Sequence, residues 1–448
     1  MKGFWKLTGY EWRKIWTQPV VWILLVLFTG YGVYSYSNIQ ADPELKQVYS
    51  YITGPLTQET YETVTTTLQE VEAGKRPVEE EAVTIEGEQL IRQRVKIPQW
   101  GGSYNVGYLE QAKYDIEGLM DFEDDRVRIV QQAQKNMQKY QNRPDRLYDY
   151  RYNELVYNQA SNRGDLVLME KTGWWNFTEF LGVMRPVNFF DLTALLLCMV
   201  ALCSIFTKDD ECGFTPVVRC SYFGRSTLFF AKMLCGFLFC VATLAILRLG
   251  ILITLAINTD LSYITAPIQS LSNFRSCPYN VSILEMIVQQ FFITVLFLFF
   301  FFLVGALAGV LVRRNYISLG VQFIVAVVLT ALSLRPDAAQ YWNMITNKTS
   351  NMVSRQADYS QMVGEDIMKI WNPGMAMRIN EYYDHYDYVN VLGFPVSRLA
   401  LFVSWLILLN AILFFITWKL YTGQRSDHSL VRSRKKGRNH EKSVAHSV

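Results

Sequence analysis

Met286-Ile-Val-Gln-Gln290-Phe-Phe-Ile-Thr-Val295-Leu-Phe-Leu-Phe-Phe300-Phe-Phe-Leu-Val-Gly305-Ala-Leu-Ala-Gly309-Val-Leu-Val312 contains no Asp, Glu, Lys or Arg. A helix rising 1.5 Å per residue needs about 20 apolar residues to cross a hydrocarbon core of roughly 30 Å. The stretch therefore reads as a membrane-spanning helix. Working outward from it, similar runs occupy residues 20–36, 187–206, 228–257, 317–334 and 396–418. The expected fold is an all-α membrane protein with six transmembrane helices. A large, mainly helical extracellular domain is expected between the first and second.

Orientation follows from Lys and Arg, which cytoplasmic loops retain during insertion. Residues 1–19 carry Lys2, Lys6, Arg13 and Lys14, and residues 207–227 carry Lys208, Arg219 and Arg225. Arg313 and Arg314 form a turn on the same side. The tail, residues 419–448, holds Arg425, Arg432, Arg434, Lys435, Lys436, Arg438 and Lys442 against only Asp427 and Glu441. Both termini are accordingly expected in the cytoplasm. The polar stretch before the second span holds 24 acidic against 17 basic side chains and is expected outside.

The layout is thus an amphipathic helix at 1–19, a span at 20–36 and an extracellular domain at 37–186. Spans two and three follow at 187–257, joined by a cytoplasmic loop at 207–227. An extracellular loop at 258–285, spans four and five at 286–334, a second loop at 335–395 and the last span at 396–418 complete it. The net charge of +3 hides this polarity between faces. The basic tail reads either as a contact with anionic lipid or as a plain anchor, and its lack of interleaved aromatics argues against nucleic acid.

Phe4, Trp5, Leu7, Trp12, Ile15 and Trp16 alternate with basic residues as in a helix lying at the headgroup boundary. An ordinary aromatic flank is the other reading. Pro19 breaks that segment from the first span. The first span lacks a small-x-small cleavage site and is expected to remain in the mature chain. No internal repeat is visible, and the unequal loops do not suggest inverted halves.

In the polar domain, helices are expected near residues 57–73, 108–141 and 146–162, with a short extended piece at 83–97. Trp174, Trp175, Phe177 and Phe180 read as an interfacial aromatic belt. Cys277 alone among seven cysteines is placed outside, so no disulfide framework exists there. The other cysteines read as small apolar packing, with no metal site.

Catalytic patterns are missing. The chain has no GxxxxGK[ST], HExxH or GxSxG, and its four histidines are His385, His428, His440 and His446. No catalytic residue is assigned. Asn176-Phe-Thr178, Asn280-Val-Ser282 and Asn347-Lys-Thr349 match the glycosylation acceptor pattern, a pattern common by chance.

The loop 207–227 is the most informative polar segment. A short helix bearing Val217 and Val218, flanked by Lys208, Asp209, Asp210, Glu211, Arg219 and Arg225, presents an apolar knob with a charged rim to a partner. A plain charged loop is the alternative. Glu211, Gly213, Thr215, Val217, Val218, Ser221, Gly224, Arg225 and Lys232 follow one another as in ABC-2-type permeases, which the chain resembles. The match departs at Phe214, inserted between the Gly and the Thr, and at Pro216, usually aliphatic.

The resemblance extends to the order of helices along the whole chain. It implies a permease subunit of a bacterial ABC exporter in the cell membrane, paired with a second permease subunit as a homo- or heterodimer. It also implies a separate ABC ATPase that holds ATP and Mg, with no cofactor on this chain. Loop 207–227 would then be a coupling helix, with Glu211, Gly213, Thr215, Val217, Val218, Arg219, Gly224 and Arg225 as its contacts.

Polar groups inside spans are costly in lipid and are functional candidates. Arg248 lies about 13 Å from the outer end of its span and is expected either to snorkel or to pair with Glu285, Gln289 or Gln290. Asp191, Gln322 and Asn410 are further candidates. Arg248, Glu285, Gln289 and Asn410 are the substrate-path set. Substrate contact and structural pairing stand side by side for Arg248. Gly305 and Gly309 form a GxxxG match for close helix approach, within one subunit or between two. The competing reading of the whole chain is a membrane-anchored receptor or enzyme that works through its extracellular domain.

Overall fold

A computed structural model describes residues 2–37, 42–55, 58–85, 88–182, 188–213, 226–258, 261–345, 369–383 and 388–423. Helix α1 (Lys2–Trp16) precedes α2 (Pro19–Ser37), whose proline sits where a helix needs no N–H. The helix α8 (Phe189–Leu202) is followed by α10 (Ser226–Asn258), α11 (Ile283–Val312), α12 (Asn315–Ile345) and α13 (Arg398–Gly423).

Among the described residues, five helices are long and apolar enough to cross a membrane: Pro19–Ser37, Ser226–Ile257, Ile283–Val312, Asn315–Leu334 and Arg398–Gly423. The chain is a mostly helical, multi-pass membrane protein. The sixth expected span differs. Helix α8 has only 14 residues, about 21 Å at helical rise. Asn188 caps its first turn by accepting from the Phe190 N–H at 3.0 Å, and the chain turns away after Leu202.

Helix α11 is the hub, packed against α8, α10, α12 and α13. Of its phenylalanines, Phe297, Phe300, Phe301 and Phe302 are buried in the core and Phe292 is exposed. Its two glycines are spent inside this chain. A Cβ at Gly305 would lie 1.4 Å from the Gln322 side chain on α12, and one at Gly309 would lie 3.1 Å from Thr207. The turn into α12 places Arg313 in the left-handed region, with φ of 59°, which lets its N–H reach the Gly309 carbonyl.

Between α2 and α8 lies the inserted region. It contains α3 (Pro43–Ile52), α4 (Gln58–Glu72), α5 (Val106–Tyr140), α6 (Leu147–Ser161) and α7 (Lys171–Phe180). Three antiparallel strands, β2 (Val78–Ile85), β3 (Glu88–Ile97) and β4 (Gly102–Asn105), form a sheet where one short extended piece is expected. The β2–β3 register sets Glu79 opposite Arg94 and Glu81 opposite Arg92. A diagonal ion pair, Arg94 to Glu81 at 2.9 Å, ties the acidic run to the sheet. A two-residue β1 (Gly54–Pro55) pairs with β5 (Val167–Leu168). Val48, Tyr49, Val64, Leu68, Val95, Tyr104, Leu109 and Ile116 fill this region's own core. A hairpin of β6 (Tyr388–Val391) and β7 (Phe394–Ser397) leads into α13, and Arg151 of α6 donates to its Gly393 carbonyl at 3.0 Å.

Three sequence expectations change here. Phe177 and Phe180 are fully buried in the membrane core rather than lining an interface, although Trp175 is exposed. Asn176 and Thr178, the first glycosylation match, are buried too. Cys277 is also buried, because the 261–282 segment folds onto the helix ends through Ile268, Leu271 and Phe274.

Candidate functional site

The charged residues around the start of loop 207–227 form one junction. A four-residue helix, α9 (Lys208–Glu211), follows α8, and Gly213 beyond it has φ of 70°. Asp209 accepts from Lys232 of α10 at 2.6 Å and from Lys14 of α1 at 3.0 Å. Lys232 is fully buried and also donates to the Ile205 carbonyl at 2.6 Å. Lys14 bridges onward to Glu11 at 2.9 Å. Glu211 accepts from the backbone N–H of Asn315 at 2.9 Å, which puts a carboxylate on the N-terminus of α12. Four helices, α1, α9, α10 and α12, are thereby joined by charge-assisted hydrogen bonds.

Burial alone would raise the Asp209 carboxyl, but Lys232 and Lys14 outweigh it and hold it below the usual carboxylate range. For Lys14, burial works downward while Glu11 and Asp209 push upward, and the ammonium ends above its ordinary value. Helix α1 lies along α10 instead of resting only at a headgroup boundary. Its Ile15 is buried, Trp16 meets Phe239 at 5.2 Å between ring centroids, and Cys235 Sγ donates to the Thr8 carbonyl.

Of the coupling set, Glu211 and Gly213 belong to this junction. Thr215, Val217, Val218, Arg219, Gly224 and Arg225 lie outside the described residues. Glu211, expected on a charged rim, stays exposed and also accepts from the N-terminus of α12. The sequence reading placed Asp209 on the charged rim of the loop and Lys14 in the basic amino-terminal segment, but did not join them to each other or to Lys232. The signal was Lys232, a cation in an apolar helix that demands a carboxylate, with Asp209-Asp210-Glu211 the acidic run on the loop before it.

A second cluster lies among the apolar helices. Arg248 is buried and bonds Asp191 at 2.6 Å and the Phe180 carbonyl at 3.1 Å, with its guanidinium 5.1 Å from the Phe180 ring. Thr294 donates to the other Asp191 oxygen at 3.4 Å. This overturns the expected pairing of Arg248 with Glu285, Gln289 or Gln290. Glu285 is exposed and closes a capping box with Ser282 at the start of α11. Gln289 accepts from the Tyr383 hydroxyl, and Gln290 donates to the Leu181 carbonyl at 3.1 Å. Asn410 ties α13 to α11 by donating to the Leu296 carbonyl at 3.2 Å. The substrate-path set is therefore not gathered at one point.

Compared with family models, curated proteins and solved structures, the chain matches none.

What the two clusters can do follows from their chemistry. Neither groups three metal-ligating side chains, and among the described residues no such group occurs. The junction at Asp209 and Glu211 ties α9 to α1, α10 and α12. The Arg248–Asp191 pair joins α8 to α10 in a medium where separating the charges is costly.

Proposed function

We propose that this chain is the permease subunit of an ATP-driven ABC exporter and couples a separate ATPase to outward substrate movement. The observation that carries the reading is the junction: the base of loop 207–227 is tied through Asp209 and Glu211 to α1, α10 and α12. A force applied to that loop is delivered to two membrane-spanning helices and to α1 at once. The ordered resemblance to ABC-2-type permeases supports the same conclusion. On this reading the protein works in a bacterial cell membrane with both termini cytoplasmic. It pairs with a second permease subunit, contacts membrane lipid, and leaves ATP and Mg to the ATPase.

The test is a transport assay matched to an ATPase assay, run on Glu211→Lys, Val217→Asp and Lys435→Glu. The two loop variants are expected to uncouple transport from hydrolysis or shed the ATPase while still inserting. The tail variant is expected to behave as wild type. The purified chain alone is expected to hydrolyse no ATP. Wild-type transport in both loop variants would remove the loop from the mechanism.

A second reading, a membrane-anchored receptor or enzyme, draws on a cavity of about 650 Å³ beside α5 and α6 of the inserted region. It gains if no ATPase accompanies the chain from native membranes.

A further inference from the structure

The cavity of about 650 Å³ lies between α5, α6 and the 261–282 segment. That volume falls within the range of small-molecule sites. Its walls include Phe122, Ile129, Ala133, Val156, Ala160 and Pro278, all apolar. Four arginines also line it, and three of them are already engaged. Arg126 and Arg163 share the Glu123 carboxylate, and Arg128 pairs with Asp125 at 3.2 Å.

Arg275 differs. Its side chain forms no ion pair or hydrogen bond among the described residues, and its Nε is buried without a partner. The guanidinium stands on the partition between this cavity and a smaller one of about 280 Å³. Asp115 and Asp121 attract it only at longer range, and the Asp115 carboxylate already accepts from the Tyr49 hydroxyl. Its place is built into the fold. Gly118, inside α5, leaves room where a Cβ would fall 2.8 Å from the guanidinium. Glycine inside a helix costs stability relative to alanine, and here it admits the arginine.

A half-buried cation with unmet donors, facing an apolar chamber, is complementary to a molecule with one anionic head and an apolar body. We infer that this cavity binds a small amphiphilic carboxylate, its head on Arg275 and its chain along α5 and α6. The inference is independent of the export reading, since binding is measured on the chain alone.

The test uses the full-length protein in nanodiscs and a photoreactive diazirine decanoate, with labelled peptides mapped by mass spectrometry. Label is expected on α5 and α6, displaced by octanoate but not by octanol or inorganic phosphate. Arg275→Gln is expected to lower labelling about tenfold, the worth of one charge-assisted bond. Arg146→Gln, which lies outside the cavity lining, is expected to leave it unchanged. Val156→Trp, which narrows the chamber and keeps the cation, is expected to lower it several-fold, and decides the matter if Arg275→Gln does not fold. Label confined to the membrane helices, or equal labelling of wild type and a folded Arg275→Gln, would overturn the inference. So would displacement by octanol as strong as by octanoate, or labelling unchanged in a folded Val156→Trp. Displacement by phosphate equal to that by octanoate would also overturn it, leaving a bare anion site.

Discussion

Replacing Asp209 with alanine leaves the Lys232 ammonium buried with only the Ile205 carbonyl as a bonding partner. Breaking a buried ion pair from one side costs about 3–5 kcal/mol, because the remaining charge is stranded. Lys14 is a different case. Its side chain is 40% exposed, so water screens its pair with Asp209, but its loss would strand the buried Glu11 carboxylate. In a Glu11→Gln background, Lys14→Ala is expected to cost no more than about 1 kcal/mol. The double variant Asp209→Ala/Lys232→Met removes both charges and is expected to be more stable than Asp209→Ala alone. The assay is thermal unfolding of the three variants in detergent, followed by helical circular dichroism. Acid adds a second readout. Since the Asp209 carboxyl is held below its ordinary value, its stabilisation is complete above the ordinary carboxylate pKa. It is lost as pH falls through the lowered value of the folded chain. Equal, small losses in Asp209→Ala and, in the Glu11→Gln background, Lys14→Ala, or a double variant no more stable than Asp209→Ala, would refute the buried-pair reasoning.

Arg248→Met is expected to destabilise the chain by a similar margin, about 3–5 kcal/mol, and Asp191→Leu in the same chain to recover part of that loss, both read as unfolding midpoints. Gly305→Leu is expected to disrupt the α11–α12 contact, because even a Cβ meets Gln322; Gln322→Ala in that background should restore some stability, and a silent Gly305→Leu would contradict the close approach. An impermeant maleimide should leave Cys277 unlabelled in the folded chain and label it after denaturation, while exposed Cys212 reacts in permeabilised cells. Labelling of Cys212 in intact cells would reverse the proposed orientation.

The long apolar helices were legible because their signal is local. The run 286–312 appears as α11 (Ile283–Val312), extended only by the cap that Ser282 and Glu285 supply. The short α8 was less so. Hydropathy continues through Cys203, Ile205 and Phe206, which are buried in the core although the helix has already ended. In the inserted region, the α5 and α6 segments carried helical signals and residues 83–97 an extended one that covers β3, whereas the pairing of β3 with β2 and β4 did not show. Glu79-Glu80-Glu81 reads as a solvated charge run until Arg92 and Arg94 are brought across from β3. Charge pairs were the least legible feature. Sequence says that Arg248 and Lys232 need carboxylates, but Asp191 is 57 residues from the first, and only the packing of α8 on α10 selects it.

The bond between Lys14 and Asp209 spans 195 positions of the chain. During synthesis, α1 and α2 emerge long before either of their charged partners in α9 and α10 exists. The first span must therefore persist in the bilayer as a lone helix, which its apolar surface permits. Glu11, which is buried in the finished protein, stays hydrated until α10 arrives to cover it. The clasp then closes as one of the later events of assembly. A chain stopped short of residue 226 would keep its first helix inserted and its amino-terminal helix undocked.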